Sequence, residues 1–272
     1  IAKVTPDFHD PDEKLLTSAL TRICAIDSRR WIQFLLQHLT VNAPVQAASQ
    51  NPLENRLWQM LHFTIYQNDV TSSGFHSLSE SLAILPRNPA LFAEILEVLK
   101  YNYQHIDFID EPVAIGFDSP LDLHCHYTRN QICAALDYYK PGTLRQGVMH
   151  LKDKKLDFFL ITLNKSEKDY SPTTMYEDYS INETLFHWQS QSTTSADSPT
   201  GQRYIHQQEL GSRILLFVRE YDTDLTGTAP YIFLGLANYV SHEGSRPMSI
   251  IWHLEKPIPA KFLNTSNKLV VG

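Results

Sequence analysis

The sequence predicts an α+β protein, an N-terminal helical bundle followed by a mostly antiparallel, curved sheet or barrel. Two observations predict it. Up to about residue 111, apolar residues recur at three- and four-residue spacing behind recognisable helix starts. Beyond that point the apolar runs are short or alternating, and turn residues separate them. The change falls at Glu111-Pro112, which divides the chain into a helical connector over 1–111 and a β-rich region over 112–272.

Asp10-Pro11 with Glu13 opens the first helix, because it combines a side-chain acceptor, a first-turn proline and a carboxylate near the positive helix end. Leu15, Leu16, Ala19, Leu20 and Ile23 carry its apolar face to about Ala25. Asp27 or Ser28 caps the second helix, with Trp31, Phe34, Leu35 and Leu39 at helical spacing. Asn51-Pro52 opens the third, through Leu57, Leu61 and Ile65. Ser77 and Glu80 form a capping-box pattern for a short helix expected to end at Pro86. Asn88-Pro89 starts a fifth, reaching about His105. These stripes read as core, and His62 and His105 as ordinary hydrogen-bonded histidines.

From Glu111, Pro112, Gly116 and Pro120 break helicity, and residues 121–127 alternate like a strand. Thr128 to Gln131 repeats the capping box ahead of a helix through Ile132 and Leu136. Strands are then expected over 147–151, 156–163, 184–191, 213–219, 231–240 and 247–254, with Ser241–Arg246 as a hairpin loop.

Composition narrows the function classes. The formal net charge of −7 argues against a strong nonspecific grip on DNA. Residues 1–111 hold 8 basic against 13 acidic residues, and residues 112–272 hold 15 against 17, so the acidic excess lies mainly in the helical region. Three cysteines make no even disulfide framework, which fits a reducing cytoplasm. No run reaches the roughly 20 apolar residues of a membrane span, and no secretory signal opens the chain. A first residue of Ile rather than Met is expected of a fragment or a processed chain.

The stretch 163–204 is rich in Ser, Thr, Asn and Gln, yet Tyr170, Tyr176, Tyr179, Phe186, Trp188 and Tyr204 punctuate it. Hydroxyls and amides donate to phosphates or read base edges, and aromatic faces stack on unpaired bases. An ordinary loop packing its own rings accounts for the same composition, and residue chemistry leaves the two readings even.

Three runs carry a family resemblance: SEKDYSPTTMYEDY, LFHWQSQSTTSADSPTGQRY and YVSHEGSRPMSIIW. Over about Tyr127 to Ala260 the chain resembles a bacterial C-terminal domain, first described without a function. That domain follows a phospholipase-D-type nuclease and a superfamily-two helicase, and some of its parent proteins are type IV restriction enzymes acting on DNA with modified cytosine. The resemblance implies an SRA-like, PUA-like β-barrel that recognises cytosine-modified double-stranded DNA by base flipping. It further implies nuclease and helicase domains as partners, with residues 1–111 linking them to the recognition domain.

A flipped cytosine needs stacking faces, an acceptor for its amino group and room beside C5. The expected base pocket is therefore Tyr176, Glu177, Asp178, Tyr179, Trp188 and Gln189, with Phe186 in the core and Trp188 divided between core and pocket. Lys165, Lys168, Ser171, Thr173, Thr174, Ser190, Ser192, Arg203 and Arg246 are the candidate DNA-backbone contacts, and His242 and Glu243 the candidate groove-probing residues.

Catalysis by this chain is not expected. His124, Cys125, His126 and Cys133 lack the paired spacing of a structural zinc site, and residues 124–126 alternate across a strand. Asp157, Glu167 and Lys168 do not complete a nuclease constellation, and no Walker-type loop is present. No catalytic residue, metal or cofactor is assigned. The competing reading is a non-catalytic interaction module that couples a helicase motor to its partners; an independent nuclease ranks last.

Overall fold

The computed structural model describes residues 11–144, 147–164, 178–224 and 227–266. The chain forms two compact units, one of residues 1–112 and 118–141, the other of 113–117 and 142–272.

The first unit contains α1 (Pro11–Cys24), α2 (Arg29–His38), α3 (Pro52–Tyr66), α4 (Leu78–Leu82), α5 (Ile84–Arg87), α6 (Pro89–His105), the two-residue strand β1 (His126–Tyr127) and α7 (Arg129–Ala135). Several of these starts have a local cause. The Ser28 side chain accepts from Trp31 N–H, and the Asn51 side chain from Leu53 N–H ahead of Pro52. Thr128 and Gln131 complete a reciprocal capping box. Ser77 caps α4, while the Glu80 carboxylate takes the His76 N–H, one residue before the position a capping box would give it. Pro86 does not end a helix; it lies in the first turn of α5, where its missing N–H costs nothing. Asn88 makes no capping bond, because its side chain donates back to the Ile84 carbonyl.

Residues 118–141, expected with the β-rich region, pack with the helices. The Arg56 guanidinium grips the Asp137 carboxylate with two 2.9 Å bonds. Gln131 Nε2 donates to Thr64 Oγ1 at 2.8 Å, and Asn130 Nδ2 to Gln67 Oε1 at 2.9 Å. Ser28 and Arg30 both hold the buried Asp122. The alternation over 121–127 is real, in that Leu121, Leu123, Cys125 and Tyr127 are buried. Yet a turn at His124 (φ 65°) interrupts the strand and leaves only β1.

The second unit contains β2 (Val148–Leu151), β3 (Leu156–Thr162), β4 (Tyr179–Ser180), β5 (Leu185–Gln189), α8 (Pro199–Ile205), β6 (Arg213–Arg219), β7 (Thr223–Asp224), β8 (Gly227–Thr228), β9 (Tyr231–Glu243), β10 (Ser249–Leu254) and α9 (Ala260–Ser266). Its main sheet runs β2-β3-β6-β9-β10-β5-β4, and β7 pairs with β8 apart from it. The pairs are antiparallel except β3–β6, which is parallel, so the sheet is mixed. Among the described residues the order ends at β2 and β4 without closing. β9 carries two irregularities: one near Gly235, whose φ of 85° suits glycine, and one near Val240. Bulges of this kind sharpen twist and bend the strand.

One face of the sheet buries a core of Phe159, Ile161, Phe186, Trp188, Ile214, Leu216, Ile250 and Trp252, closed over by Tyr204 of α8. The Ser198 hydroxyl caps α8 by accepting from Gly201 N–H. Gly201 is required there, since a Cβ would lie 2.2 Å from the Ser195 carbonyl.

Candidate nucleic-acid interface

On β4, β5 and β10 the face of the sheet opposite this core carries Tyr179, His187, Gln189, Ser249 and His253 beside Leu185 and Ile251; on β3, β6 and β9 the same face is apolar and buried, with Phe158, Leu215, Phe217 and Phe233. Along β5 the burial alternates, with Phe186 and Trp188 turned inward and Leu185, His187 and Gln189 turned outward. Pairing carries that outward row across neighbouring strands. Tyr179 of β4 lies opposite His187, His187 opposite Ile251 of β10, and Ile251 opposite Ser241 of β9. A second row joins Gln189, Ser249 and Glu243, and a third joins Leu185, His253 and Asn238.

Tyr179 and His187 stack with ring centroids 4.7 Å apart and planes 16° from parallel. Beside them, Gln189 Nε2 donates to Ser249 Oγ at 3.4 Å, a long bond that leaves the amide able to exchange partners. The face thus offers a flat, preformed aromatic platform and neutral donors and acceptors. Aromatic faces and neutral hydrogen-bonding groups are the chemistry that stacks on bases and reads their edges. Among the described residues no group of three His, Cys, Asp or Glu side chains could hold a metal ion.

The structure separates the six expected base-pocket residues. Tyr179 and Gln189 share the outward face. Trp188 belongs to the core, 5% exposed and stacked on Phe159 at 4.3 Å, because it has the same strand parity as Phe186. Asp178 is 4% exposed, and its Oδ1 accepts the Gln189 N–H at 2.9 Å. Its carboxylate therefore helps fasten β4 to β5. Tyr176 and Glu177 lie outside the described residues.

The backbone candidates divide similarly. Lys165, Lys168, Ser171, Thr173 and Thr174 lie outside the described residues. Ser190 is buried; its hydroxyl accepts from Met248 N–H at 2.8 Å, closing the end of the β5–β10 ladder. Ser192 and Arg246 are exposed, and Arg246 N–H donates to the Thr194 carbonyl. Arg203 holds Asp157 through Nε and Nη2 at 3.0 and 2.9 Å, so two of its donors are committed within the fold. Burial pulls its guanidinium down, but the hydrogen bonds and charge of Asp157 raise it above its ordinary value. Burial, then Asp157, also push the Tyr204 phenol well up.

His242 and Glu243 are not in the hairpin loop; β9 continues through Glu243. His242 Nδ1 pairs with the Tyr239 hydroxyl at 2.7 Å. Within the cysteine–histidine group, His126 Nδ1 pairs with Asp27 at 2.6 Å, and the Cys125 thiol points to the Asp27 carbonyl.

His187, Ser249 and His253 were not assigned from sequence. The signal was available for His187, since placing Phe186 inside turns His187 outward. Ser249 and His253 reach this face only through the β5–β10 register.

The model of a family described as a domain of unknown function (DUF3427) matches residues 121–265, more than half of the 272. No curated protein matches the sequence significantly. A crystal structure of SUVH6 from Arabidopsis thaliana in complex with SAM is similar over 94% of this chain, at 9% identity and a TM-score of 0.37. The chain spans 42% of that structure's length, and a similarity this slight specifies neither fold nor function.

Proposed function

The chain belongs to the DUF3427 family, and from that premise we propose that its second unit reads cytosine-modified double-stranded DNA for a type IV restriction enzyme. The observation that carries this reading is the outward Tyr179–His187 stack flanked by Gln189 and Ser249. The sequence resemblance over about 127–260 supports the biological setting: an SRA-like, PUA-like module working in the cytoplasm beside nuclease and helicase domains.

A flipped base stacks on the Tyr179–His187 pair, gaining roughly 1–3 kcal/mol per aromatic face. The Gln189 amide oxygen replaces Asp178 as the acceptor for the cytosine amino group, and its amide nitrogen remains a donor to the base edge. The module supplies recognition only; cleavage and ATP hydrolysis belong to its partner domains.

The test is a titration of the chain with methylated, hydroxymethylated and unmodified duplexes at several salt concentrations. Modified DNA binds more tightly, and the preference survives added salt, because nonspecific phosphate contacts fade with salt. Tyr179→Ala lowers affinity for modified DNA about ten- to hundredfold and leaves the unmodified background nearly unchanged. Equal binding of all three duplexes overturns the reading.

A second reading concerns the helical unit. Ile109 is 81% exposed and Tyr101 61%, on a stretch with an acidic excess. These features support a docking role toward a helicase motor. Co-purification with the remaining enzyme parts, without detectable DNA binding, favours it.

A further inference from the structure

Five basic side chains of this acidic chain gather at one end of the sheet. The turn between β2 and β3 carries Lys152, Lys154 and Lys155. Because β3 and β6 are parallel, with Leu156 opposite Arg213, β6 enters the sheet at the same end. There the Arg213 N–H donates to the Lys155 carbonyl at 2.9 Å. α8 brings Arg203 to this end as well, through its two bonds to Asp157, the second residue of β3. From β2, His150 Nδ1 meets the same carboxylate at 3.0 Å.

Several of these cations are held in place. Lys154 Nζ sits 4.6 Å above the Phe117 ring. The Arg213 guanidinium packs so closely on Gly116 that a Cβ there would lie 2.6 Å away. Asp157 is fully buried while the Arg203 side chain stays 19% exposed and that of His150 31%, so a hidden carboxylate orients two donors toward the surface. A buried ion pair often adds little to stability over apolar packing. What it adds here is orientation of the guanidinium.

The charge balance at this end is reversed. The β2–β3 turn, the start of β3, and the run from α8 to the start of β6 hold Lys152, Lys154, Lys155, Arg203 and Arg213 against Asp153, Asp157 and Glu209, five basic groups against three acidic, whereas residues 112–272 hold 15 against 17. Glu209, between α8 and β6, pairs with His206.

We propose that the β2–β3 turn, Arg203 and Arg213 form the surface on which the second unit takes the phosphate backbone of duplex DNA. This deepens the DNA-binding reading and rests on it. The aromatic platform lies toward the other edge of the sheet, so phosphate grip and base reading are separate surfaces. Phosphate contacts position a duplex without reporting its sequence.

The experiment uses the full chain with a fluorescent duplex, modified or unmodified, between 50 and 200 mM salt. Lys152 and Lys155 are exposed, so Lys152→Gln with Lys155→Gln tests the surface, and a thermal melt confirms that the variant folds. Each lost phosphate contact lowers the salt slope by about 0.9. The double variant therefore loses about 1.8 in slope, or about twelvefold less salt sensitivity over that range, equally on both duplexes. The control pair Lys14→Gln and Lys100→Gln, exposed on the helical unit, leaves the slope unchanged. An unchanged slope in the Lys152/Lys155 variant, or an equal fall in the control, overturns the proposal. A reduced slope without preference for modified DNA keeps this surface and removes the base-reading function. Retained preference with an unchanged slope does the reverse, and no binding of either duplex at 50 mM salt removes both.

Discussion

Both units bury an apolar core, and they differ in what joins segments distant in the chain. In the sheet unit, backbone ladders decide which strands are neighbours, and aromatic packing fills the space between sheet and α8: Phe159 stacks on Trp188 at 4.3 Å and meets Tyr204 and Trp252 edge-on. In the helical unit, polar side chains tie distant segments together. Arg22 Nε donates to the Thr64 carbonyl at 2.7 Å, Gln131 reaches Thr64 from another direction, and Arg56 holds Asp137. A helix satisfies most of its backbone internally, so side chains must define how helices meet. A strand leaves its backbone to its neighbours, and the ladder does that work.

That contrast sets the order of expected effects. Trp188→Ala and Trp252→Ala remove core rings and cost about 3–5 kcal/mol of the sheet unit's stability, measured by urea denaturation. A loss below about 1 kcal/mol for Trp188→Ala would return Trp188 to the ligand face. Asp157→Asn, which strips the charge partner from Arg203 in a buried site, costs about 3 kcal/mol. The matching Asp137→Asn in the helical unit costs nearer 1 kcal/mol, because Asp137 and Arg56 are 27% and 12% exposed and water screens the pair. Equal losses would show that the two ion pairs serve their units alike.

Smaller effects come from local structure. Thr128→Ala removes one side of the α7 capping box and costs about 1 kcal/mol, seen as a lower melting temperature of the helical unit. The smallest perturbation is chemical. All three cysteines fall in the helical unit, with Cys24 exposed and Cys125 and Cys133 buried. Burial pushes the Cys133 thiol up to about 12 and Cys125 higher still, so neither forms the reactive thiolate at neutral pH. A thiol reagent at pH 8 therefore modifies one cysteine in the native chain and three in denaturant. In partial denaturant, the second and third thiols report opening of the helical unit alone. Rapid modification of all three under native conditions would contradict this packing.

The sequence by itself determined what depends on short-range physics. Ser28, Asn51, Ser77 and Thr128 announce helix starts because capping bonds span two or three residues. Arg213–Arg219 reads as a strand and is one, and Phe186 is legible as core from alternation. Only tertiary structure decided what meets across long separations. It placed 118–141 with the helices through Asp122, Gln131 and Asp137, and it gave Arg203 to Asp157, 46 residues away. It also buried Trp188 and Asp178 and set Tyr179 against His187 by register. The same residue types would serve a pocket, a core or an ion pair equally well; which they serve depends on strand order and register, and these follow from the packing of the whole sheet and not from local propensity.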